Sequence, residues 1–458
     1  MVVGKKVARE TLLPSVHEDE DGGNDEEEHV RELLGGIGSR PPSRPRNIYS
    51  RGSVDNQTVV RASSQRSSAG EMAENDKEEE KEEGGGGEED EAETSGQSSG
   101  AVDGQHKDGV CFSTDEDYDT ELELEEEKAQ YDPTGQARYR EVCTMLGVIP
   151  VSYFLRNMHK SELSMVHHGL GPQGTMALAV TLVTNTFILK LNLRDNWMEG
   201  VGGAAVADML KENCYITEID LSENQLGQDG ANALASMLLE NTTLVSLNLS
   251  GNCLEERAAR HLAEALSRNQ NLQHLDLSHN RLGEAAGEIL GAALAENTGL
   301  KSLNLAWNCI RGTGAIALAR GLGANIFLRA VDLSYNGLSK EGAVALGEGL
   351  KENNTLEELD VSINRIPPEG AIHLAVGLKV NKNIRILKMS RNPMQAAGCF
   401  AVLKAIEANP ASAVEHLDFS DIGVDQEFED LFNSVKEALP NLQVKHGGRI
   451  RALRKTTS

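Results

Sequence analysis

Large aromatic rings are nearly missing from this chain: two tryptophans, seven tyrosines and eight phenylalanines serve 458 residues. A core of stacked rings is excluded by that shortage, so small and branched aliphatic side chains must fill the interior. Cysteine is nearly as scarce, with six at positions 111, 143, 214, 253, 309 and 399. They form no CxxC pair and have no histidines at zinc-binding spacing. A zinc module and a disulfide scaffold are therefore excluded, and packed, reduced thiols are expected.

No stretch approaches the roughly 20 apolar residues of a membrane-spanning helix. The opening MVVGKKVARETLLPSVHEDE carries lysines but no apolar run of secretory-signal length. A soluble, cytoplasmic chain without a membrane partner is expected. Catalytic signatures are missing too: GxxxxGKS/T, HExxH and GxSxG find no match. The neighbouring His167 and His168 read as surface residues, and the many carboxylates recur with a repeat instead of pairing for acid–base work. The chain is expected not to be an enzyme and to need neither cofactor nor metal.

Positive charge is short as well, and unevenly placed. The formal net charge is -27; residues 1–130 hold 35 acidic and 14 basic side chains, and the other 328 hold 36 and 30. AENDKEEEKEEGGGGEEDEAE and STDEDYDTELELEEEK contain too few large apolar groups to offset the entropy of ordering, so residues 1–130 are expected to be a disordered acidic tail. Inside it, SRPPSRPRNIYSRGSVDNQTVVRASSQRSS reverses the sign, with Arg40, Arg44, Arg46, Arg51, Arg61 and Arg66 against Asp55 alone. Ser43, Ser64 and Ser68 follow arginines by two or three places, a spacing compatible with phosphorylation by a basophilic kinase.

What the chain has in abundance is repetition. LxLxxN returns with Leu191, Ile219, Leu247, Leu275, Leu303, Val331, Leu359 and Leu387 at its head, 28 residues apart each time, and closes on Asn196, Asn224, Asn252, Asn280, Asn308, Asn336, Asn364 and Asn392. A degenerate unit begins at Leu163, with His168 in the asparagine slot, and another at Leu417. The second half of each unit is equally regular. A small residue recurs from Gly174 to Gly398, a leucine or isoleucine follows eight residues later, and an asparagine three beyond that, from Asn185 to Asn409.

The alternating LxL predicts a short strand, and stretches such as GANALASMLL have helical spacing with one apolar face. The small residue predicts close helix approach, and the asparagine after each helix is expected to take the left-handed conformation of a helix end. The asparagine closing each strand is expected to bond the backbone of the turn. Both halves together resemble the ribonuclease-inhibitor class of leucine-rich repeats. With the lead-in YDPTGQARYREVCTMLGVIPVSYFLRNM, the sequence resembles the vertebrate leucine-rich repeat-containing protein 74 family. The resemblance implies an α/β solenoid, a horseshoe with parallel strands on the concave face and helices on the convex face.

A solenoid must cover both ends. Residues 131–162 are expected to form an N-terminal helical cap through Val142, Leu146, Ile149, Phe154, Leu155 and Met158. Repeats are expected over 163–422. A C-terminal cap over 423–446 would use Phe428, Leu431, Phe432, Val435, Leu442 and Val444, followed by a basic disordered tail at 447–458.

The concave face is where repeats can differ without disturbing the core. Between the strand leucines stand Asn192, Asp220, Asn248, Asp276, Asn304, Asp332, Asp360, Lys388 and Asp418. Asp220, Asp276, Asp332 and Asp360 make a stripe that favours a basic partner; equally, asparagine and aspartate suit this slot in any such repeat. Trp307, Tyr335 and Ile363 occupy the place where sibling repeats carry Asp195, Glu223, Gly251, His279 and Arg391. Strict alternation would bury that place, yet several of the siblings cannot sit in a dry core. The chain must bend outward there, making Trp307, Tyr335 and Ile363 an exposed patch on three adjacent rungs.

The expected function is a non-enzymatic scaffold that holds a basic or mixed protein segment on its concave face. The arginine-rich residues 40–66 are one such segment within the chain. The alternative is a regulator of a small GTPase or ribonuclease, since the repeat class includes Ran GTPase-activating protein and ribonuclease inhibitor. The sequence departs from both: its acidic tail is N-terminal, and six cysteines are too few for the inhibitor. Nucleic acid is not an expected partner, because the basic clusters fall only in the tails.

Overall fold

The computed structural model describes residues 135–450. The acidic tail expected over 1–130, and the basic segment with its serines, lie outside the described residues. Two helices, α1 (Gln136–Leu146) and α2 (Ser152–Asn157), precede an alternation of strands and helices. The strands are β1 (Glu162–Ser164), β2 (Lys190–Asn192), β3 (Glu218–Asp220), β4 (Ser246–Asn248), β5 (His274–Asp276), β6 (Ser302–Asn304), β7 (Ala330–Asp332), β8 (Glu358–Asp360), β9 (Ile386–Lys388), β10 (His416–Phe419) and β11 (Gln443–His446). Helices α3 (Gly171–Leu182) to α12 (Gln426–Ala438) follow β1 to β10 in turn.

The eleven strands form one sheet in sequential order, every pairing parallel. From β1 to β9 each residue pairs with the one 28 places on, as in Leu191↔Ile219 and Val331↔Leu359. The step from β9 to β10 is two residues longer, Leu387↔Leu417. The central residue of each three-residue strand, β1 to β9, is buried while its neighbours are not, as the alternation requires. Strands stack about 4.8 Å apart and packed helices roughly 8–10 Å apart. One of each per repeat therefore bends the sheet to the inside and the helices to the outside.

Small residues keep the helix spacing short. A Cβ on Gly202 would lie 3.2 Å from the Thr175 Cβ of the preceding helix, and one on Gly291 would meet the Ala317 carbonyl of the next helix at 2.5 Å. Helix α7 (Glu284–Glu296) thus packs on α8 (Gly312–Ala324) backbone to backbone.

Two ladders of buried asparagine join the repeats. At the strand end, Asn224 donates from Nδ2 to the carbonyls of Leu193, Leu221 and Ser222 at 2.9–3.0 Å, and its Oδ1 accepts from Asn196 N at 2.8 Å. The second ladder departs from expectation. Asn213, Asn241, Asn269, Asn297, Asn325 and Asn353 are extended, not left-handed, with φ between -67° and -78°. Their side chains do the work instead. Asn213 Nδ2 donates to the Leu182 and Asn185 carbonyls, and its Oδ1 accepts from Tyr215 N and Ile216 N at 2.9–3.0 Å. A side-chain amide supplies two donor hydrogens and a separate acceptor oxygen, which the four bonds of Asn213 use. A left-handed residue here would steer the chain away from the next strand.

At the N-terminal end Val142, Phe154 and Met158 are buried as expected, together with Tyr139 and Cys143, which the sequence reading missed. Tyr139 meets Phe154 edge-on at 4.7 Å between ring centres. Ile149 corrects the reading: it is 90% exposed, because it follows the left-handed Gly147 in the turn between α1 and α2. At the other end Phe428, Leu431, Val435 and Leu442 are buried, and Asp425 caps α12 by accepting from Phe428 N. Ordered pairing runs past residue 446, where a disordered tail was expected to begin. Gly447 N donates to Ile422 O and Ile450 N to Val424 O, both at 2.8 Å.

The second ladder yields a sharp test. Asn269→Gly would be neutral or stabilising at a left-handed helix end. Here it strips partners from the buried Leu238 carbonyl and the Leu272 amide, and a loss of about 2–4 kcal/mol is expected. Asn271→Gly, two residues away and exposed, should cost far less. Urea denaturation of both variants decides between the two readings.

Candidate functional site

The residue before the strand-end slot, an asparagine in eight repeats and His168 or Ile422 in the two outermost, is left-handed in all ten: His167, Asp195, Glu223, Gly251, His279, Trp307, Tyr335, Ile363, Arg391 and Asp421 have φ from 52° to 69°. A non-glycine residue there costs on the order of 1–2 kcal/mol. The conformation persists because the surroundings over-determine it. Trp307 N donates to Ser334 O and Tyr335 N to Ser362 O, each at 3.0 Å, while the asparagine ladder grips the residues on either side. This single dihedral breaks the strand alternation and turns the side chain out, the bend that the sequence demanded at position 307.

The side chains so released form a row along one edge of the sheet. Trp307 is 47% exposed, and Tyr335 and Ile363 are half-buried. The three expected patch residues therefore lie on adjacent rungs. The Trp307 and Tyr335 rings stack at 3.6 Å between centres, 14° from parallel. His279, which the sequence reading had treated only as a polar sibling, extends the stack on the other side at 5.2 Å and 15°. Both faces of the indole are thus covered, and what Trp307 offers outward is its rim, the electropositive part of the ring. Beyond Ile363, Arg391 is held by Asp421 at 2.6 Å. That pairing raises its pKa, with a smaller contribution from the Tyr335 hydroxyl it also bonds.

The aspartate stripe is less free than its sequence suggests. Oδ1 of Asp220, Asp276, Asp332 and Asp360 accepts from the backbone amide two residues on, at Ser222, Ser278, Ser334 and Ser362. Asn192, Asn248 and Asn304 do the same in their repeats, so the slot selects either residue for a structural reason. The outer oxygens differ. Asp220 Oδ2 takes the Asn192 amide, Asp276 Oδ2 the Asn304 amide, and Asp360 Oδ2 lies 3.4 Å from Lys388 Nζ.

Among the described residues, Asp332 alone of the four has an outer oxygen with no protein partner. Burial pushes its carboxyl pKa above the usual range, opposed by the Ser334 bonds and assisted by the neighbouring Asp360. Asn304, Asp332, Asp360 and Lys388 line a shallow hollow of about 240 Å³ on the concave face. Among the described residues no cluster of three His, Cys, Asp or Glu side chains is placed to hold a metal ion, and no helix is long and apolar enough to cross a membrane.

Comparison with known proteins agrees with the repeat. The family described as "Leucine Rich repeat" matches residues 184–207, 212–235, 240–262, 268–288, 296–319, 324–347 and 352–375. Leucine-rich repeat-containing protein 74B is 56% identical in Homo sapiens and 48% in Mus musculus over 50 residues, 11% of this chain. Each match spans 13% of the length of that relative. Among solved structures, the actin-binding site 2 of leiomodin-1 aligns at 19% identity and a TM-score of 0.28, covering 33% of this chain and 88% of that one. The APL1 leucine-rich repeat domain aligns at 17% identity and 0.35, covering 59% and 58%.

Asp332→Asn separates the structural from the recognition use of the stripe. Asparagine already fills this slot in three other repeats, so the backbone bond is kept while the penalised charge is removed. A folded pKa raised above the unfolded one means that ionisation costs the native state, a cost absent at low pH and acquired as pH rises through that range. The variant should therefore melt higher than the parent at pH 7, and the gap should close on acidification towards pH 4. Calorimetry over that range checks both statements.

Proposed function

This chain is a leucine-rich-repeat protein, and from that premise we propose that it is a non-enzymatic scaffold whose concave face holds a basic or mixed segment of another protein. Stacked repeats present an extended inner surface suited to protein binding. The observation that carries the finer reading is Asp332, whose outer carboxylate oxygen has no partner among the described residues in a row where its siblings are engaged. An uncommitted, half-buried carboxylate gains most from an incoming lysine or arginine.

The aromatic row supplies the second half of the site. Trp307, Tyr335 and Ile363 offer apolar area next to the carboxylates, and the stack of His279, Trp307 and Tyr335 fixes the rings before a partner arrives. Rings held in place lose little entropy on binding, which makes them suitable anchors. Asp220, Asp276 and Asp360 contribute negative potential, which steers a basic segment towards the face more than it binds it.

The test is affinity capture from lysate with the full chain, beside a variant carrying Asp332→Asn and Tyr335→Ala and one carrying a change on the helical face, Lys340→Ala. One protein retained by the parent and by Lys340→Ala, and lost by at least tenfold with the double variant, is the expected outcome. Raising the salt should weaken its capture, since exposed charges are screened. Identical profiles for all three would overturn the concave-face reading.

A further inference from the structure

The row of outward residues has one gap. Rungs 279, 307 and 335 carry stacked rings, rung 223 carries Glu223, and rung 251 between them carries Gly251. His279 has Trp307 against one face, and its other face looks towards a position with no side chain. Strands lie about 4.8 Å apart, so Glu223 and His279 are separated by roughly 10 Å along the row. That leaves room for one planar group, at the spacing the rings themselves adopt.

Glycine is not needed there for the backbone. The other nine repeats hold non-glycine residues at the same left-handed φ. The space itself is what differs. A Cβ built on Gly251 would come within 3.0 Å of Glu223 Cγ, so the glutamate stem borders the gap. Glu223 Oε1 is held by Arg194 at 2.8 Å, and Oε2 has no protein partner among the described residues. The gap therefore has an exposed imidazole face on one side and a half-exposed carboxylate with a free oxygen on the other.

We propose that the gap at Gly251 is a seat for an arginine side chain of the bound segment. The guanidinium would stack on His279, continuing the ring row, and donate to Glu223. An aromatic ring fits the thickness but leaves the carboxylate unanswered. A lysine answers the charge but is a compact ammonium with no plane to stack. The planar, fully charged arginine meets both walls. This assignment rests on the concave-face reading above and adds to it the identity of one recognised residue.

The experiment uses the full chain with Trp197→Phe, which leaves Trp307 as the only tryptophan and so as a fluorescent reporter two rungs from the seat. A blocked nonapeptide of alternating arginine and serine is titrated against its lysine counterpart. The arginine peptide should perturb Trp307 emission at concentrations about tenfold lower than the lysine peptide. Gly251→Tyr, which fills the gap, and His279→Ala, which removes the stacking face, should each erase that preference, whereas Glu223→Gln should weaken the response to both peptides. Circular dichroism reports the fold of each, and His279→Ala keeps the test alive if the tyrosine disturbs packing. Equal response to the two peptides, or a preference that survives His279→Ala, would overturn the proposal. If a partner is nonetheless captured through Asp332 and Tyr335, the seat fails alone; if capture fails too, the concave-face reading falls with it.

Discussion

The buried asparagine amide is the interaction on which this structure depends. Every repeat must turn its backbone twice, once after the strand and once after the helix, and each turn leaves amides and carbonyls that no sheet or helix satisfies. In the interior such groups cost about 1–3 kcal/mol apiece if left unpaired. One side chain that both donates and accepts meets the need, and it does so across the repeat boundary: Asn224 bonds Leu193 and Asn196 of the preceding repeat, and Asn213 bonds Leu182 and Asn185. Turn satisfaction and repeat-to-repeat cohesion are therefore the same set of bonds.

The candidate site is a by-product of that arrangement. The turn that the strand-end asparagine holds in eight repeats places the preceding residue in the left-handed region, and that conformation ejects its side chain from the core. What is ejected matters little to the fold, so this row varies from glycine to tryptophan while the slot beside it is asparagine in eight of the ten repeats. The aspartate row shows the opposite balance. One oxygen of each is spent on the turn, and only the second is open to selection for binding, which is why Asp332 stands apart from three siblings in the same slot of the repeat.

Much of this was legible in the chain. The 28-residue period, the LxLxxN strand and the small-residue helix each have a local physical cause repeated many times, so chance resemblance averages out. The outward turn at Trp307 was legible because Glu223 and His279 cannot occupy a dry core. Three readings went astray for identifiable reasons. The asparagine after the helix suggested a left-handed cap, since that residue often adopts one, and nothing local reveals that its amide bridges to a carbonyl 31 residues earlier. Ile149 suggested a buried cap residue from its hydrophobicity, although a turn carries it outside. The C-terminal boundary fell short because KHGGRI reads as a polar tail, while residues 447–450 find hydrogen-bond partners in the loop after β10.

The sequence by itself determined the repeat, its register and the side of each element that faces inward, because these follow from spacing along the chain. The tertiary structure alone decided which groups are spent and which are free: both faces of Trp307, the outer oxygens of Asp220, Asp276 and Asp360, and the empty position at Gly251. The physical reason is that each of these depends on contacts between residues about 28 apart, where the identity of a neighbour on the next rung, and not the residue's own type, sets what remains available to a partner.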